Sequence, residues 1–362
     1  MKRRAIETEA PNGRLLSTRL DPARVTLVYT MFNHLGDYLV MGGLLRKFDL
    51  LGVGFESVVA HQNSPHVALY PGETRDRFFN MASPAGFLAL VKKLRRERQN
   101  GRLIFGLPMA PGSIQAFAFF WVLKKLGAVT HLVDFNLINA DVITPPRRRY
   151  IFDRHLAQAA ELFKCPEWTT DSTMPLALTA PEDRPAGPTR RIGLFPWSGR
   201  GWLAEFRWPD ARWTELTKRL LAQGEGDIIL LGRDAGFERL EGAIRSQLSA
   251  EESARFLVLP ANSVASLAAS LRSIDYLITL NTSALHLAHA LRLPLVALCG
   301  SSAESWLPEG GHVRLVRDEG GILPPSDRYA HDALQPSLQG IEVEQVFSNF
   351  LELVQSFPAK SP

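Results

Sequence analysis

Cysteine is scarce in this sequence, with Cys165 and Cys299 the only two among 362 residues. Two cysteines cannot build a disulfide framework or a cysteine metal cluster, and Cys299 ends an apolar run that predicts a buried strand, so a reducing compartment suits the chain. The sequence also lacks a long hydrophobic run. Its most apolar window, residues 114–123, is about half the length that a membrane-spanning helix needs, and it predicts a buried helix.

Charge of either sign is in small excess only, because 41 lysines and arginines against 37 acidic residues give a net charge of +4. This excess is too small to indicate a nucleic-acid partner, but it suits an anionic substrate or membrane surface. With 46 % hydrophobic and 22 % charged residues, the composition excludes a mostly disordered protein. We expect a cytoplasmic protein that can contact an anionic membrane peripherally through basic residues of its first domain, namely Lys92, Lys93, Arg95 and Arg96.

Short apolar runs alternate with helical patterns along most of the chain, and this alternation predicts parallel α/β sheets. Prolines recur between Cys165 and Pro188 without a long apolar run, which predicts a linker between two domains. The first residues are polar and lack the apolar core of a secretory signal. We therefore expect a flexible tail over residues 1–20, a first domain over 21–175, a linker over 176–190, a second domain over 191–340, and a closing segment over 341–362 whose helix could cross back to the first domain.

One stretch, residues 275–300, combines two strand patterns with a helical pattern between them. Residues with helix-capping side chains follow the first strand: Asn281, Thr282 and Ser283. In a parallel sheet this turn lies at the carboxyl ends of the strands, where the free N–H groups of the helix N-terminus suit a phosphate. His286, about one turn into the helix, could reach the same anion. The residues alone equally allow a capped surface helix, with His286 facing solvent or packed on the sheet.

Two other strand ends in the second half carry polar residues. Ser198 and Gly199 follow a predicted strand over residues 192–196, and they offer a hydroxyl and backbone N–H groups to a diphosphate. Asp234 follows a predicted strand over residues 227–231, where a carboxylate can accept hydrogen bonds from ribose hydroxyls. The structural alternatives are an ordinary Ser-Gly turn and a helix N-cap formed by Asp234.

The first predicted strand, residues 25–29, leads through a short loop to Asp37 at the N-terminus of a helix. A carboxylate at this position can be a cap that the helix dipole stabilises. The carboxyl end of a first strand is also where an enzyme would place a base that faces its substrate. Both interpretations stay open on the residues alone.

A polar acceptor site is a further hypothesis for the first half. Residues 61–77 predict a loop-rich segment that contains Arg75 and Arg77, and His34 lies in the loop before Asp37. These three side chains could line such a site, and a solvated loop is the alternative.

These motifs resemble the heptosyltransferases of glycosyltransferase family 9. In that family a strand is followed by Asp-Ser/Thr-Gly, two further residues, a His, and a helix of small residues that leads into a strand beginning with Pro. Here residues 281–286 read NTSALH and Pro294 is in place. Asn281 and Ser283 stand where the family usually has Asp and Gly.

The resemblance covers roughly residues 25–308 and includes a basic residue before Trp-Pro. Residues 206–209 read FRWP, with Phe at a position where many relatives have Lys. The resemblance implies a role for three residues. Asp37 would be the catalytic base, Arg207 would contact the donor phosphates, and Asp234 would lie near the ribose.

The resemblance also implies the fold and the reaction. The fold class would be α/β with GT-B architecture, in which two Rossmann-like domains face each other across a cleft. The enzyme would be an inverting glycosyltransferase without metal or cofactor, moving a sugar from a nucleotide-diphosphate sugar, with ADP-heptose as the expected donor, to a glycan, glycolipid or other acceptor. The alternatives are a sugar-nucleotide epimerase or hydrolase on the same fold, and a non-catalytic nucleotide-sugar-binding protein, which the Asn at position 281 suggests.

Overall fold

A computed structural model divides the chain into two compact units, residues 1–178 and 179–362. The division falls inside the segment predicted as a linker, residues 176–190, most of which lies outside the described residues, as does nearly all of the predicted tail. The structure describes residues 20–31, 35–62, 65–108, 114–133, 150–171, 173–175, 189–197, 207–224, 226–232, 235–300, 307–317 and 338–358.

The first unit is built on a five-stranded sheet whose neighbouring strands are all parallel. Its strands are β1 (Val25–Thr30), β2 (Glu56–His61), β3 (Phe78–Asn80), β4 (Leu103–Pro108) and β5 (His131–Leu132). They lie in the order β3-β2-β1-β4-β5, so the strand order reverses between β1 and β4. All six residues of β1 are buried, as expected for a central strand that is covered on both faces.

Helices connect these strands: α1 (Leu35–Leu50), α2 (Gly72–Arg75), α3 (Pro84–Gln99), α4 (Ile114–Lys125) and α5 (Ile151–Phe163). The start of α3 shows how the sequence sets a boundary. The hydroxyl of Ser83 accepts a hydrogen bond from the amide of Gly86 at 3.0 Å, and Pro84 occupies the first helical position. Gly86 is needed at this point because a Cβ on it would overlap the backbone oxygen of Asn80.

Two sequence expectations for the first unit are wrong in part. The segment over residues 61–77 is less open than a loop, since it contains a 3-10 turn at Pro65–Leu69 and α2 and leads into the edge strand β3. These elements are too short to show a periodic pattern. The apolar helix α4 is only half buried, with Trp121 50 % exposed, because one of its faces has no cover among the described residues.

The second unit is built on a six-stranded sheet, again with every neighbouring pair parallel. Its strands are β6 (Arg191–Phe195), β7 (Asp227–Gly232), β8 (Phe256–Pro260), β9 (Tyr276–Leu280), β10 (Leu295–Cys299) and β11 (Val313–Arg317). The order β11-β10-β9-β6-β7-β8 is that of a dinucleotide-binding sheet, and it reverses between β6 and β9. Two α/β units with parallel sheets confirm the predicted fold class.

The helices of the second unit are α6 (Asp210–Ala222), α7 (Ala235–Arg245), α8 (Ala250–Ala254), α9 (Val264–Arg272), α10 (Ser283–Ala290) and α11 (Val343–Ser356). The closing helix α11 packs against α6, β10 and β11 of its own unit. Its Phe350 meets the ring of Tyr276 at 5.7 Å between centroids, and the Tyr276 hydroxyl donates to the carbonyl of Phe357 at 2.6 Å. The apolar face of α11 is therefore occupied by the second unit's own core.

Three further properties concern the described residues alone. No helix in these ranges is both long and apolar enough to cross a membrane. Across the same residues no group of histidine, cysteine or acidic side chains could hold a metal ion. Cys165 and Cys299 are both buried free thiols.

Candidate functional site

In the second unit, β6 and β9 lie side by side where the strand order reverses, and both end at the same edge of the sheet. Leu194 is paired with Ile278 and Phe195 with Thr279, so the residues that follow the two strands leave the sheet next to each other. The buried Thr279 hydroxyl lies 3.3 Å from the carbonyl oxygen of Phe195 and 3.0 Å from that of Leu280. It ties the two strand ends together at the point where open α/β sheets bind ligands.

The connection from β9 to α10 has the form that the sequence predicts. Thr282 is the N-cap, and its hydroxyl accepts a hydrogen bond from the amide of Ala284 at 3.3 Å. Ser283 is the first helical residue, and among the described residues its amide has no hydrogen-bond partner. Asn281, like Thr282 and Ser283, is only partly buried. Because α10 has no acidic residue in its first turn, this helix N-terminus suits an anion.

His286 lies one turn into α10, but its side chain is only 4 % exposed. Burial lowers the pKa of His286 from 6.5 to about 4, because an imidazolium ion would lose its hydration there. The ring is therefore neutral near pH 7. It can offer one N–H to a neighbouring acceptor, but it cannot supply a positive charge.

Trp197, which follows β6, contacts the end of β7 and the helix after it. Its indole N–H donates to the carbonyl oxygen of Leu231 at 2.7 Å, and its ring centroid lies 6.1 Å from that of Phe237 on α7. The predicted donor-site residues that follow these two strands, Ser198, Gly199 and Asp234, lie outside the described residues. Their strands do end at the edge from which α10 begins.

Arg207 lies just before the N-terminus of α6, where its partner is an acid. Its guanidinium is 3.3 Å from the carboxylate of Asp210. The same carboxylate forms a second ion pair, with Arg239, at 2.8 Å. Two arginines around one carboxylate leave a net positive charge near this helix N-terminus. The neighbouring Trp208 is buried, and its indole N–H donates to the carbonyl of Ile341 at 2.8 Å. These contacts anchor the chain next to Arg207.

In the first unit, Asp37 is the third residue of α1 and only 5 % exposed. The helix follows β1, the strand at which the order of the first sheet reverses. The positive end of the helix dipole stabilises a carboxylate in the first turn. Asp37 therefore has the position of a base at a strand end, and also that of a buried carboxylate that stabilises the first turn of its helix. His34, in the loop before it, lies outside the described residues.

Arg75 and Arg77 both have partners inside the first unit. Arg75 donates to the carbonyl oxygens of Ala68 at 3.2 Å and Tyr70 at 3.0 Å, so it holds the turn before α2. Arg77 forms an ion pair with Asp49 at 2.6 Å. These contacts give each arginine a structural role.

The sequence model of glycosyltransferase family 9 (heptosyltransferase) matches residues 128–314, just over half of the chain. The chain belongs to glycosyltransferase family 9. It is therefore a glycosyltransferase of the heptosyltransferase family. No curated protein gives a significant match.

Solved structures of family 9 proteins share its fold over nearly their whole length. A glycosyl transferase of family 9 from Veillonella parvula is 17 % identical, with 93 % of this chain and 99 % of that chain covered and a TM-score of 0.61. The E. coli ADP-heptose lps heptosyltransferase II is 18 % identical, with 91 % and 98 % covered and a TM-score of 0.55. E. coli heptosyltransferase WaaC, solved with ADP-2-deoxy-2-fluoro heptose, is 14 % identical, with 90 % and 99 % covered and a TM-score of 0.57. At such identities the likeness shows the fold alone, and it confirms the predicted GT-B class.

The family 9 match covers residues 128–314, which include the ends of β6, β7 and β9 but not Asp37. The donor-side assignment thus lies within the matched region, whereas the assignment of a base depends on position alone. Sequence reasoning missed Trp197 and Thr279, which join the strand ends. Trp197 stands between a predicted strand and a Ser-Gly turn, and that placement was the available signal.

Proposed function

We propose that this family 9 enzyme moves a sugar from a nucleotide-diphosphate sugar to a hydroxyl of a glycan, glycolipid or small acceptor, with inversion at the anomeric carbon and without a metal ion. The observation that carries this proposal is the N-terminus of α10, where the Ser283 amide has no hydrogen-bond partner among the described residues and the first turn has no acidic residue. ADP-heptose is the first donor to test, because WaaC was solved with ADP and with a fluorinated ADP-heptose. The buried free thiols support a cytoplasmic location.

In this mechanism the Asp37 carboxylate takes the proton of the acceptor hydroxyl. The alkoxide oxygen forms a bond to the anomeric carbon as the bond from that carbon to the diphosphate oxygen breaks. The electron pair of the broken bond leaves with the nucleotide diphosphate. The acceptor proton stays on Asp37 until it is released to water.

The leaving diphosphate would be stabilised by groups of the second unit. The amide of Ser283 and the dipole of α10 face the developing charge, and Ser198 and Arg207 add a hydroxyl and a cation. His286 contributes at most one neutral N–H, because its buried ring is uncharged at pH 7. Asn281 adds no negative charge where the family usually has Asp, which favours retention of the diphosphate.

The first experiment screens ADP, UDP, GDP and CMP sugars by thermal shift, since stabilisation grows with affinity. Release of free nucleotide diphosphate is then followed with and without a candidate acceptor. Release that requires the acceptor supports the transferase. Turnover without acceptor would identify an epimerase or hydrolase, and tight binding without turnover a binding protein.

Ser283→Pro tests the donor site directly. Proline is tolerated at the first position of a helix, so the substitution removes the amide donor while α10 can still form. We expect nucleotide-diphosphate affinity to fall by about tenfold, the value of one hydrogen bond to a charged group. Ala250→Pro, at the exposed first position of α8, is the matched control and should leave affinity unchanged. Equal affinities in both variants and wild type, measured by calorimetry, would remove α10 from the donor site.

A further inference from the structure

Helices α3 and α4 lie side by side on one face of the first unit's sheet. Near the start of the pair, the rings of Phe87 and Phe119 are 6.3 Å apart between centroids. At the other end, Arg98 of α3 donates to the carbonyl of Gly127, just past α4, at 2.8 Å. Both helices pack on the same core, which contains Leu90, Leu94, Phe120, Leu123, Val28 and Ile104.

The outward side of this pair is unusually apolar. Six large hydrophobic side chains are exposed among the described residues, and four of them belong to α3, α4 and the turn after it. Leu88 is 56 % exposed, Trp121 50 %, Leu126 42 % and Val122 41 %. Single exposed apolar residues are ordinary on a protein surface, but a concentration in one place marks a contact site.

The same two helices are strongly basic. They carry seven lysines and arginines and one acid, Glu97, a net charge of +6, while the whole chain has +4, so the remainder is net −2. Lys93 is turned inward, where it pairs with Glu56 and lies 3.8 Å from Glu97. Lys92, Arg95 and Arg96 are exposed and have no ion-pair partner in the described ranges. Because Lys93 already has acidic neighbours, we leave it out of the membrane-contacting residues that the sequence suggests.

We propose that this surface, formed by Leu88, Lys92, Trp121, Val122, Lys125 and Leu126 and here named the α3–α4 surface, binds an anionic lipid bilayer. Aromatic and aliphatic side chains enter the headgroup region, and the long stems of lysines keep their ammonium groups at the phosphates. Lys125 already lies over the ring of Trp121, 5.3 Å from its centroid. A second copy is a poor occupant, because a symmetric dimer would bring two basic faces together.

The test is flotation with phosphatidylcholine vesicles with and without phosphatidylglycerol. The full chain should float with the anionic vesicles at low salt and be released as salt rises. Lys92→Gln and Lys125→Gln should each lower the partition coefficient by about fivefold. Trp121→Ser should lower it by about tenfold, because its exposed half would no longer enter the bilayer.

Two matched controls lie on α1 of the same unit. Arg46→Gln removes an exposed charge, and Leu50→Ser removes an apolar side chain that is 62 % exposed, so both should float as the wild type does. Circular dichroism melts verify that each variant is folded.

Absence of flotation with anionic vesicles at low salt would overturn the proposal. So would an equal loss in the α1 controls, or self-association that Trp121→Ser abolishes, which would identify a contact between copies. None of these results bears on the donor site, because nucleotide affinity is measured without lipid.

Discussion

Protonation of His286 provides a quantitative test of the site. The folded pKa is about 4 and the unfolded value is 6.5. Below pH 6.5 the unfolded chain binds a proton that the folded chain refuses, so stability is fully present above that pH and is lost as pH falls toward 4. Between pH 7 and pH 5 this one ring should cost about 2 kcal/mol of unfolding free energy.

The assay measures urea unfolding at pH 7 and pH 5 for the wild type and for His286→Gln. Glutamine cannot be protonated, so the variant is expected to lose about 2 kcal/mol less than the wild type over this interval, whatever its stability at pH 7. Leu287→Met, at a fully buried neighbouring position in α10, is the control for changes in packing and should keep the wild-type pH dependence.

An unchanged pH dependence in His286→Gln would refute the reasoning, because it would mean that the ring already carries a proton or reaches solvent. The role of His286 as a neutral hydrogen-bond donor would fail with it. A confirmed loss would instead predict that His286 causes no change in donor affinity between pH 6 and pH 8.

Two further predictions concern Asp37 of the first unit and the close backbone contact at Gly86. Asp37→Asn should lower turnover by about 10²–10⁴-fold with donor affinity and melting temperature nearly unchanged, whereas near-normal turnover would leave Asp37 with a structural role in the first turn of α1 and make His34 the next candidate. Gly86→Ala should lower the unfolding free energy by about 1–3 kcal/mol despite the better helix propensity of alanine, because its Cβ meets the backbone of Asn80. Gly242→Ala in α7 is the control, because no heavy atom lies within 4 Å of the added Cβ, and it should raise the unfolding free energy by about 0.5–1 kcal/mol. Urea titration measures both changes, and changes of the same sign in the two variants would contradict the packing argument.

The strand–cap–helix unit after β9 was predictable because its signals are local. Apolar runs mark β9 and β10, and Thr282 supplies the cap that α10 uses. The start of α3 is likewise a local signal, because Ser83 and Pro84 define it.

The parts that escaped prediction depend on distant contacts. The edge strand β3 has three residues and exists because β2 pairs with it. The half exposure of Trp121 depends on what covers α4, and the low pKa of His286 depends on the core around α10. The sequence shows whether such a residue is apolar or polar, but it does not show which residues surround it in the fold.

The position of α11 has a consequence for biosynthesis. Six side chains of this helix complete the core of the second unit: Val343, Val346, Phe347, Phe350, Leu353 and Val354. They are translated about 150 residues after β6, so the core of the second unit keeps an open hydrophobic surface until α11 has been made.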